Sequence, residues 1–591
     1  MCIRDRVSPS IYVKFPVKSG LEKDISFLIW TTTPWTLPGN TAIALHPDFE
    51  YSIVQTDEGK IIVASKLTEE ILKKKELKGK VLKKFKGKEL EGVICTNPVI
   101  ERESVVVMAD YVVLEEGTGC VHTAPGHGEE DYYTGLKYNL PILSPVDEKG
   151  RFTDEVKEWE GMNVFDANRP IIDKLKKDGK LYHEEEITHS YPCCWRCKKP
   201  VIFRSTKQWF LKIDHENLRE LLKKEIENTK WIPAEGKNRI FSMVEVRPDW
   251  CLSRQRLWGV PLPIFYCRKC KKPVITEKTV KKIEELVREK GSDIWFEKEE
   301  KELLPPGFCC PYCGGENFEK EKDILDVWFD SGVSHIAVAK RLLKWPVDLY
   351  LEGSDQHRGW FQTSLITSCG IYKKAPFREV LTHGFVVDSE GKKMSKSLGN
   401  VITPDEIIKK YGAEILRVWV ASENYQQDIR ISHEILKFLV KSYRNIRNTI
   451  RFLLGNLFDF SPDKAVEKDR LFEVDRFALE KLYEVINKVT DYYENYLFYR
   501  VYETIHNFCN TFLSSFYLDY LKDRLYTYPQ DSFERKSAQT ALYEILICLL
   551  KIISPLLSFT AEEAYQFIPW EKKESIFLED WPELKKPNTD I

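Results

Sequence analysis

The chain reads as a multidomain protein of mixed class: a β-rich domain, a parallel α/β domain interrupted by a small cysteine-rich module, and a helical bundle. Three observations predict this. Residues 11–186 carry short β-favouring runs split by turns, such as Ser52-Ile53-Val54, 60–64 and 104–108. Strand, loop and helix alternate over 348–422, the rhythm of a parallel sheet. After Ser432 the apolar residues Leu436, Leu439, Tyr443, Ile446, Ile450, Leu453 and Leu457 step by three and four, as on a core-facing helix. More helices follow through Phe567, giving the bundle.

At 591 residues the chain exceeds one core, so several domains are expected. A formal net charge of -2 leaves any nucleic-acid contact to local patches, not global charge. The longest apolar stretch, 541–559, is interrupted by Glu544, Lys551 and Pro555 and reads as a buried helix with its breaker, not a membrane span. Helices are expected over 214–229 and, Lys/Glu-rich, over 277–290, with a second α/β region opening at 250–263.

Six of the 15 cysteines fall in CxxC pairs, which points to a reducing compartment and to metal. Cys267, Cys270, Cys310 and Cys313 make a full tetrahedral thiolate set for zinc, with Gly314-Gly315 freeing the chain to wrap it. The alternative is reduced, buried thiols. Cys194 and Cys197 form a further half-site that is either empty or completed by ligands outside the chain.

Residues 391–400 read GKKMSKSLGN. Lys393, Lys396, Ser395 and Ser397 lie in a glycine-flanked loop between a strand-like run at 380–387 and a helix announced by Thr403-Pro404-Asp405-Glu406. Charge at such a crossover suits a polyphosphate, whose developing charge needs preorganised cations. A plain basic surface loop is the competing reading. Upstream, Glu352, Gly353, Asp355, Gln356 and Trp360 follow the apolar run 347–350, as a polar pocket at a strand end would. The competing reading is a helix start capped by Ser354 or Asp355.

In the β-rich part, Thr31, Thr32, Thr33 and Thr36 surround Pro34, and His122, His127 and Asp131 sit among glycines. These groups could bind a polar ester and position water, or be ordinary strand surface. On the first long C-terminal helix Lys437, Lys441, Arg444, Arg447 and Arg451 form a basic stripe opposite the apolar one, either a phosphate-binding face or a solvated one.

Together these residues resemble the class I aminoacyl-tRNA synthetases. GKKMSKSLGN is similar to their KMSKS loop, and LEGSDQHRGWFQ (351–362) resembles the isoleucine-specific branch. DWCLSRQRLWGVPLP (249–263), WTTTPWTLPGN (30–40), GTGCVHTAPGHGEEDY (117–132) and SFYLDYLKDRLYTY (515–528) are similarly specific.

The resemblance implies a β-rich editing domain inserted in a Rossmann-like catalytic fold, a zinc module and an α-helical anticodon-binding domain. The boundaries it suggests are 1–10 for a non-family leader, 11–188 editing, 189–265 connection, 266–320 zinc module, 321–431 second catalytic half and 432–591 helical domain. Its implied substrates are ATP with Mg2+, isoleucine and tRNA(Ile), handled by a cytoplasmic monomer without a membrane. Lys396, with Lys393 beside it and Ser395 and Ser397 in the same loop, would steady the triphosphate. Glu352, Gly353, Asp355, Gln356 and Trp360 would line the adenylate pocket, with His383 and Gly384 near adenine. Thr31, Thr32, Thr33 and His122 would hold the terminal adenosine and water of valyl-tRNA, and Asp131 the wrong amino acid's amino group. Valine lacks one methylene of isoleucine, too small a difference for binding alone to reject, a limit for which this family is the usual illustration.

The family's His-x-Gly-His signature has no counterpart here, and the opening MCIRDRV looks unrelated to it. The expectation is therefore a fragment without the first half of the catalytic fold, unable to form adenylate, with Cys194 and Cys197 parted from their zinc partners. A free-standing deacylase of mischarged tRNA and a non-catalytic tRNA-binding protein are the alternatives.

Overall fold

The computed structural model describes residues 2–22, 24–395 and 399–583. Two compact units result, Met1–Gln208 and Trp209–Ile591.

The first unit is built on strands β1 (Cys2–Ser19), β2 (Ile25–Thr31), β3 (Ala42–Leu45), β4 (Glu50–Thr56), β5 (Gly59–Ala64), β6 (Gly79–Lys86), β7 (Ile94–Thr96), β8 (Glu103–Met108), β9 (Val121–Thr123) and β10 (Leu181–Cys193). They run in the order β6-β4-β5-β2-β1-β7-β8-β3-β9, with β10 added on β1. β1 is the spine: Ile11, Val13, Phe15 and Val17 alternate into the core, as the period of a strand requires. β3 lies between β8, parallel, and β9, antiparallel, with all four of its residues buried.

Two expected boundaries move. Residues 1–10 are not a separate leader, because β1 pairs with β10 from Cys2 against Cys193 through Ile11 against Glu184. The break expected at 188 falls at 208, because the segment after β10 folds back. The Val201 amide donates to the Pro192 carbonyl at 3.1 Å, and the Ser205 amide to the Gly126 carbonyl at 2.7 Å.

In the second unit a three-stranded parallel sheet places Phe377–His383 between Lys230–Ile232 and Val347–Gly353. The helix Trp360–Tyr372 makes the crossover, and its residues from Phe361 to Cys369 are all buried, which a helix covering a parallel sheet needs. The helix expected at 214–229 begins only at Leu218, since Glu216 and Asn217 take positive φ of 48° and 59°. Glu277–Lys290 forms as expected, with the Thr276 hydroxyl accepting from the Thr279 amide and Gly291 ending it at φ 83°. The region 250–263 contributes only the two-residue strands Trp250–Cys251 and Ser253–Arg254.

His433–Asn456 carries the predicted stripe inward: Leu436, Leu439, Ile446, Ile450, Leu453 and Leu457 are buried. Tyr443 is half-buried, its hydroxyl 2.9 Å from that of Thr560. Pro555 falls between Phe533–Ile553 and Ser558–Gln566, as the breaker reading required. The core of this region also takes in Ile407, Ile415, Val418 and Trp419. The expected edge at 431 therefore lies inside one continuous core. Buried in it, Asp475 accepts from Tyr517 Oη at 2.8 Å, Ser537 Oγ at 2.6 Å and Arg524 Nη2 at 2.7 Å. Among the described residues no helix is long and apolar enough to cross a membrane.

Candidate functional site

In the first unit the chain leaves β2 at Thr31 and turns through Thr32 and Thr33 into a short 3-10 helix, Pro34–Gly39. Thr31 Oγ1 accepts from the Thr33 amide at 3.1 Å, and the Thr33 and Thr36 hydroxyls lie 3.4 Å apart. Thr36 Oγ1 donates to the Thr33 carbonyl at 2.8 Å, so its oxygen is left to accept from His122 Nε2 at 2.9 Å. Asn40 Nδ2 is 3.4 Å from His122 Nδ1 and donates to the Ala42 carbonyl at 2.7 Å. The network thus assigns His122 the tautomer protonated on Nε2. Its strand register, Ile43 opposite His122, brings the ring to the threonines.

His122 is buried, and that burial pushes its pKa down to about 4. A neutral imidazole with both nitrogens engaged orients its neighbours and does not work as a charged acid. His127 is likewise lowered to about 4 by burial. Its Nδ1 lies 3.0 Å from the Phe203 carbonyl, and its ring meets that of Trp35 edge-on.

Asp131 lies in the first turn of the helix Glu129–Lys137. Its Oδ2 accepts from the Ala124 amide at 2.9 Å, and its Oδ1 from Tyr111 Oη at 3.3 Å. Burial raises its pKa above the usual range, although the Ala124 amide opposes the shift. Ala124 directly follows His122 and Thr123 at the end of β9, so carboxylate and imidazole share one strand end. Thr36, standing in the quoted threonine string, takes a contact with the imidazole that the sequence could not assign. No local pattern marks Asn40 and Tyr111, because only folding brings them to His122 and Asp131.

In the second unit the carboxyl ends of two neighbouring parallel strands set Glu352 opposite Thr382 and Gly353 opposite His383. Ligands of open α/β sheets bind at such ends. Neither Ser354 nor Asp355 caps the next helix. Gln356 does so instead, its Oε1 accepting from the Trp360 amide at 3.0 Å and its Nε2 donating to Asp355 at 3.1 Å. Trp360 stacks on Tyr350 with 4.0 Å between ring centroids, and its Nε1 donates to the Ser331 carbonyl and Ser334 Oγ, both at 3.0 Å. The indole is therefore locked before any ligand arrives. Gly384 is needed for packing, since a Cβ there would fall 2.3 Å from the Gln427 backbone. His383 turns its Nδ1 to the Gly384 carbonyl at 2.7 Å.

Asp326 joins this region through tertiary contacts alone. It is buried and accepts from Trp250 Nε1 at 3.0 Å, Arg254 Nη2 at 2.8 Å and the Trp328 amide at 3.3 Å. Trp328 is set against Gly359, where a Cβ would come 2.7 Å from the indole. The spacing Asp326-Val327-Trp328 was the available signal, but a lone D-x-W has no specificity.

Of the loop 391–400, Lys393 and Ser395 are described, while Lys396 and Ser397 lie outside the described residues. Asn400 gathers its two sides. Its Oδ1 accepts from the Ser395 amide at 2.9 Å, and its Nδ2 donates to Asp388 Oδ2 at 2.9 Å and the Lys393 carbonyl at 3.4 Å.

The thiols of Cys267, Cys270, Cys310 and Cys313 lie within 4.8 Å of one another. Each CxxC is a knuckle: the Cys267 amide donates to the Lys272 carbonyl and the Lys271 amide returns to Cys267, with the same pattern at Cys310, Gly314 and Gly315. The Cys270 amide, aimed at its sulfur, draws the Cys267 thiol down to about 6. A Cβ on Gly315 would fall 3.2 Å from Cys267 Sγ, so the glycine keeps the four-thiol cradle open. Four convergent thiols with amides facing sulfur fit a tetrahedral divalent ion such as zinc. Cys194 and Cys197 repeat the knuckle, Lys198 at φ 61°, but belong to no such group among the described residues. The four-thiol group holds only two of the three predicted pairs because a knuckle is local, whereas four-thiol convergence is tertiary.

Lys437, Lys441, Arg444, Arg447 and Arg451 are all exposed along His433–Asn456, and Arg447 lies 3.9 Å from Glu563. Arg447 and Arg451 border a cavity of about 530 Å³ shared with Thr560 and Phe567.

Residues 31–432 match the family model described as tRNA synthetases class I (I, L, M and V), and 475–591 match the anticodon-binding domain of tRNA ligase. The isoleucine--tRNA ligase of Carboxydothermus hydrogenoformans is 54% identical over 99% of this chain and 64% of its own length. That of Petrotoga mobilis is 54% identical over 98% and 64%. That of Natranaerobius thermophilus is 51% identical over 99% and 64%. The chain thus spans just under two thirds of the length of these relatives. With a family model matching across both units and relatives that align over nearly the whole chain, the chain belongs to the class I tRNA synthetases.

Proposed function

We propose that this chain serves the isoleucine--tRNA ligase reaction: ATP-dependent activation of isoleucine, transfer to tRNA(Ile), and hydrolytic removal of valine from tRNA(Ile). The observation that carries this reading is the 54% identity to relatives bearing that name over 99% of the chain. The arrangement of the first unit supports the editing part.

In that part, the threonine hydroxyls of residues 31–33, oriented by the neutral His122 through Thr36, hold the terminal adenosine and the attacking water. Asp131, one of whose oxygens is anchored by a backbone amide, receives the α-ammonium. Water adds to the ester carbonyl, the bond to the ribose oxygen breaks, and a proton from that water passes to the departing ribose oxygen, which leaves as a hydroxyl. Isoleucine is excluded by its extra methylene, so the two sites sort by size.

In the activation part, Glu352, Gly353, Asp355, Gln356, Trp360, His383 and Gly384 form the adenylate pocket, and the loop with Lys393, Ser395, Lys396 and Ser397 steadies the ATP phosphates with Mg2+. The set Cys267, Cys270, Cys310 and Cys313 would hold zinc and brace its module. Cys194 and Cys197 would contribute a further pair. The basic face from Lys437 to Arg451 contacts tRNA phosphates. A cytoplasmic monomer completes the reading.

The test is deacylation of valyl-tRNA(Ile) against isoleucyl-tRNA(Ile) by the purified chain. Faster valyl cleavage, reduced by about tenfold or more in Asp131→Ala, is expected, since a buried ammonium would lose its counter-charge. Equal cleavage of both esters overturns the editing assignment. Lys396→Ala in a polypeptide competent for activation should slow isoleucine-dependent pyrophosphate exchange, and unchanged exchange overturns the role of the loop.

A further inference from the structure

We propose that Tyr111 is a positioning residue of the ester-cleaving site, its phenol holding the Asp131 carboxylate in the orientation that receives the α-ammonium of the mischarged amino acid. The inference rests on the editing reading above and names a residue that reading does not use.

Three separate segments meet at this carboxylate. Asp131 comes from the first turn of Glu129–Lys137, Ala124 from the residue after β9, and Tyr111 from the loop after β8. The Ala124 amide takes one oxygen at 2.9 Å and the Tyr111 hydroxyl the other at 3.3 Å. One donor alone would leave the carboxylate free to swing about its terminal torsion, which is broad for an aspartate. Two donors from different segments fix its plane, with lone pairs left for a cation. Gly128 leaves the room this needs, since a Cβ there would fall 3.0 Å from Oδ2.

The phenol suits the task chemically. Burial, reinforced by the neighbouring Asp131 charge, pushes the Tyr111 hydroxyl up to about 12, so it remains a donor throughout the neutral range. Burial also raises the Asp131 carboxyl, and the phenol works against that by stabilising the anion. Thr123 and Thr134 hydroxyls stand near the same phenol oxygen and help set its direction.

The experiment uses the whole chain and two non-hydrolysable probes. One is 2′-amino-2′-deoxyadenosine acylated with valine, and the other is the same nucleoside acylated with isovalerate, which lacks the α-ammonium. Tyr111→Phe keeps the ring and its packing and removes only the hydroxyl. The expected result is about fivefold to tenfold weaker binding of the valyl probe, the net size of one ordinary hydrogen bond, and a change within about twofold for the isovaleryl probe. An equal loss for both probes, or none for either, overturns the inference while the editing reading stands. A wild-type chain that prefers neither probe, with Asp131→Ala indistinguishable from it, overturns the editing reading and the inference with it. The same thermal midpoint in Tyr111→Phe and wild type excludes a folding defect as the cause of any loss.

Discussion

His122 Nε2 lies 2.9 Å from the Thr36 hydroxyl oxygen, and that hydroxyl is already committed as a donor to the Thr33 carbonyl. The imidazole is therefore the donor in this pair. Nitrogen-15 spectra should show the Nε2-protonated, neutral ring from pH 7 down to 5. Thr36→Val leaves a buried N–H without an acceptor, and a loss of about 1–3 kcal/mol in denaturant unfolding is expected. A doubly protonated ring at pH 6 contradicts the assignment.

Two buried histidines of the first unit, His122 and His127, link its stability to pH. Both folded values are lowered to about 4 from 6.5. Between those values the unfolded chain binds more protons than the folded one, so stability is full above about pH 6.5 and falls as pH drops. At pH 5 each imidazole costs about 2 kcal/mol. Unfolding of this unit, followed by circular dichroism at pH 7 and 5, should show the decline. His122→Asn together with His127→Asn should flatten the profile, and an unchanged slope counts against it.

Metal content offers a third check. One zinc per chain is expected at the Cys267, Cys270, Cys310 and Cys313 set, lost in Cys310→Ser. The fully buried Trp295 reports on that module, being packed on Phe265 at 5.1 Å between ring centroids. Chelation should shift its fluorescence to the red as the module loosens, because binding energy of a structural ion is folding energy. Full zinc retention in Cys310→Ser would exclude this set as the ligands.

Deep in the helical part Arg524 donates both Nη atoms to the Asp475 carboxylate, at 3.1 and 2.7 Å, and Asp475 is fully buried. Arg524→Ala strands a buried charge and should destabilise the second unit by about 3–5 kcal/mol. A change below about 1 kcal/mol in chemical denaturation would show that Tyr517 and Ser537 suffice to hold the carboxylate.

The basic face makes a graded prediction. Arg447 has a partner in Glu563, whereas among the described residues Arg444 has no ion pair. Arg444→Ala should lower tRNA affinity and reduce the slope of log K against log salt by about one, with a smaller effect for Arg447→Ala. Equal slopes in all three proteins, read by filter binding, would assign the stripe to solvent.

Much was legible because it is periodic or local. The three-and-four stripe fixed His433–Asn456, Thr276 and Gly291 bracketed Glu277–Lys290, and each CxxC carried its own knuckle. The strand end at Gly353 and the helix starting at Pro404 were equally local. Boundaries were less legible, because what decided them was pairing at a distance. Nothing in residues 2–10 announces that β10, some 180 residues on, supplies their partners.

The linear chain by itself determined the family, the classes of its parts and the residue types on offer, since these depend on neighbours one to four positions away. Tertiary structure alone decided which nitrogen of His122 bears its proton, that Asp326 ties Trp250 to Arg254, and that Tyr111 meets Asp131. Hydrogen bonds between segments depend on distance and angle in space, and no spacing along the backbone encodes either.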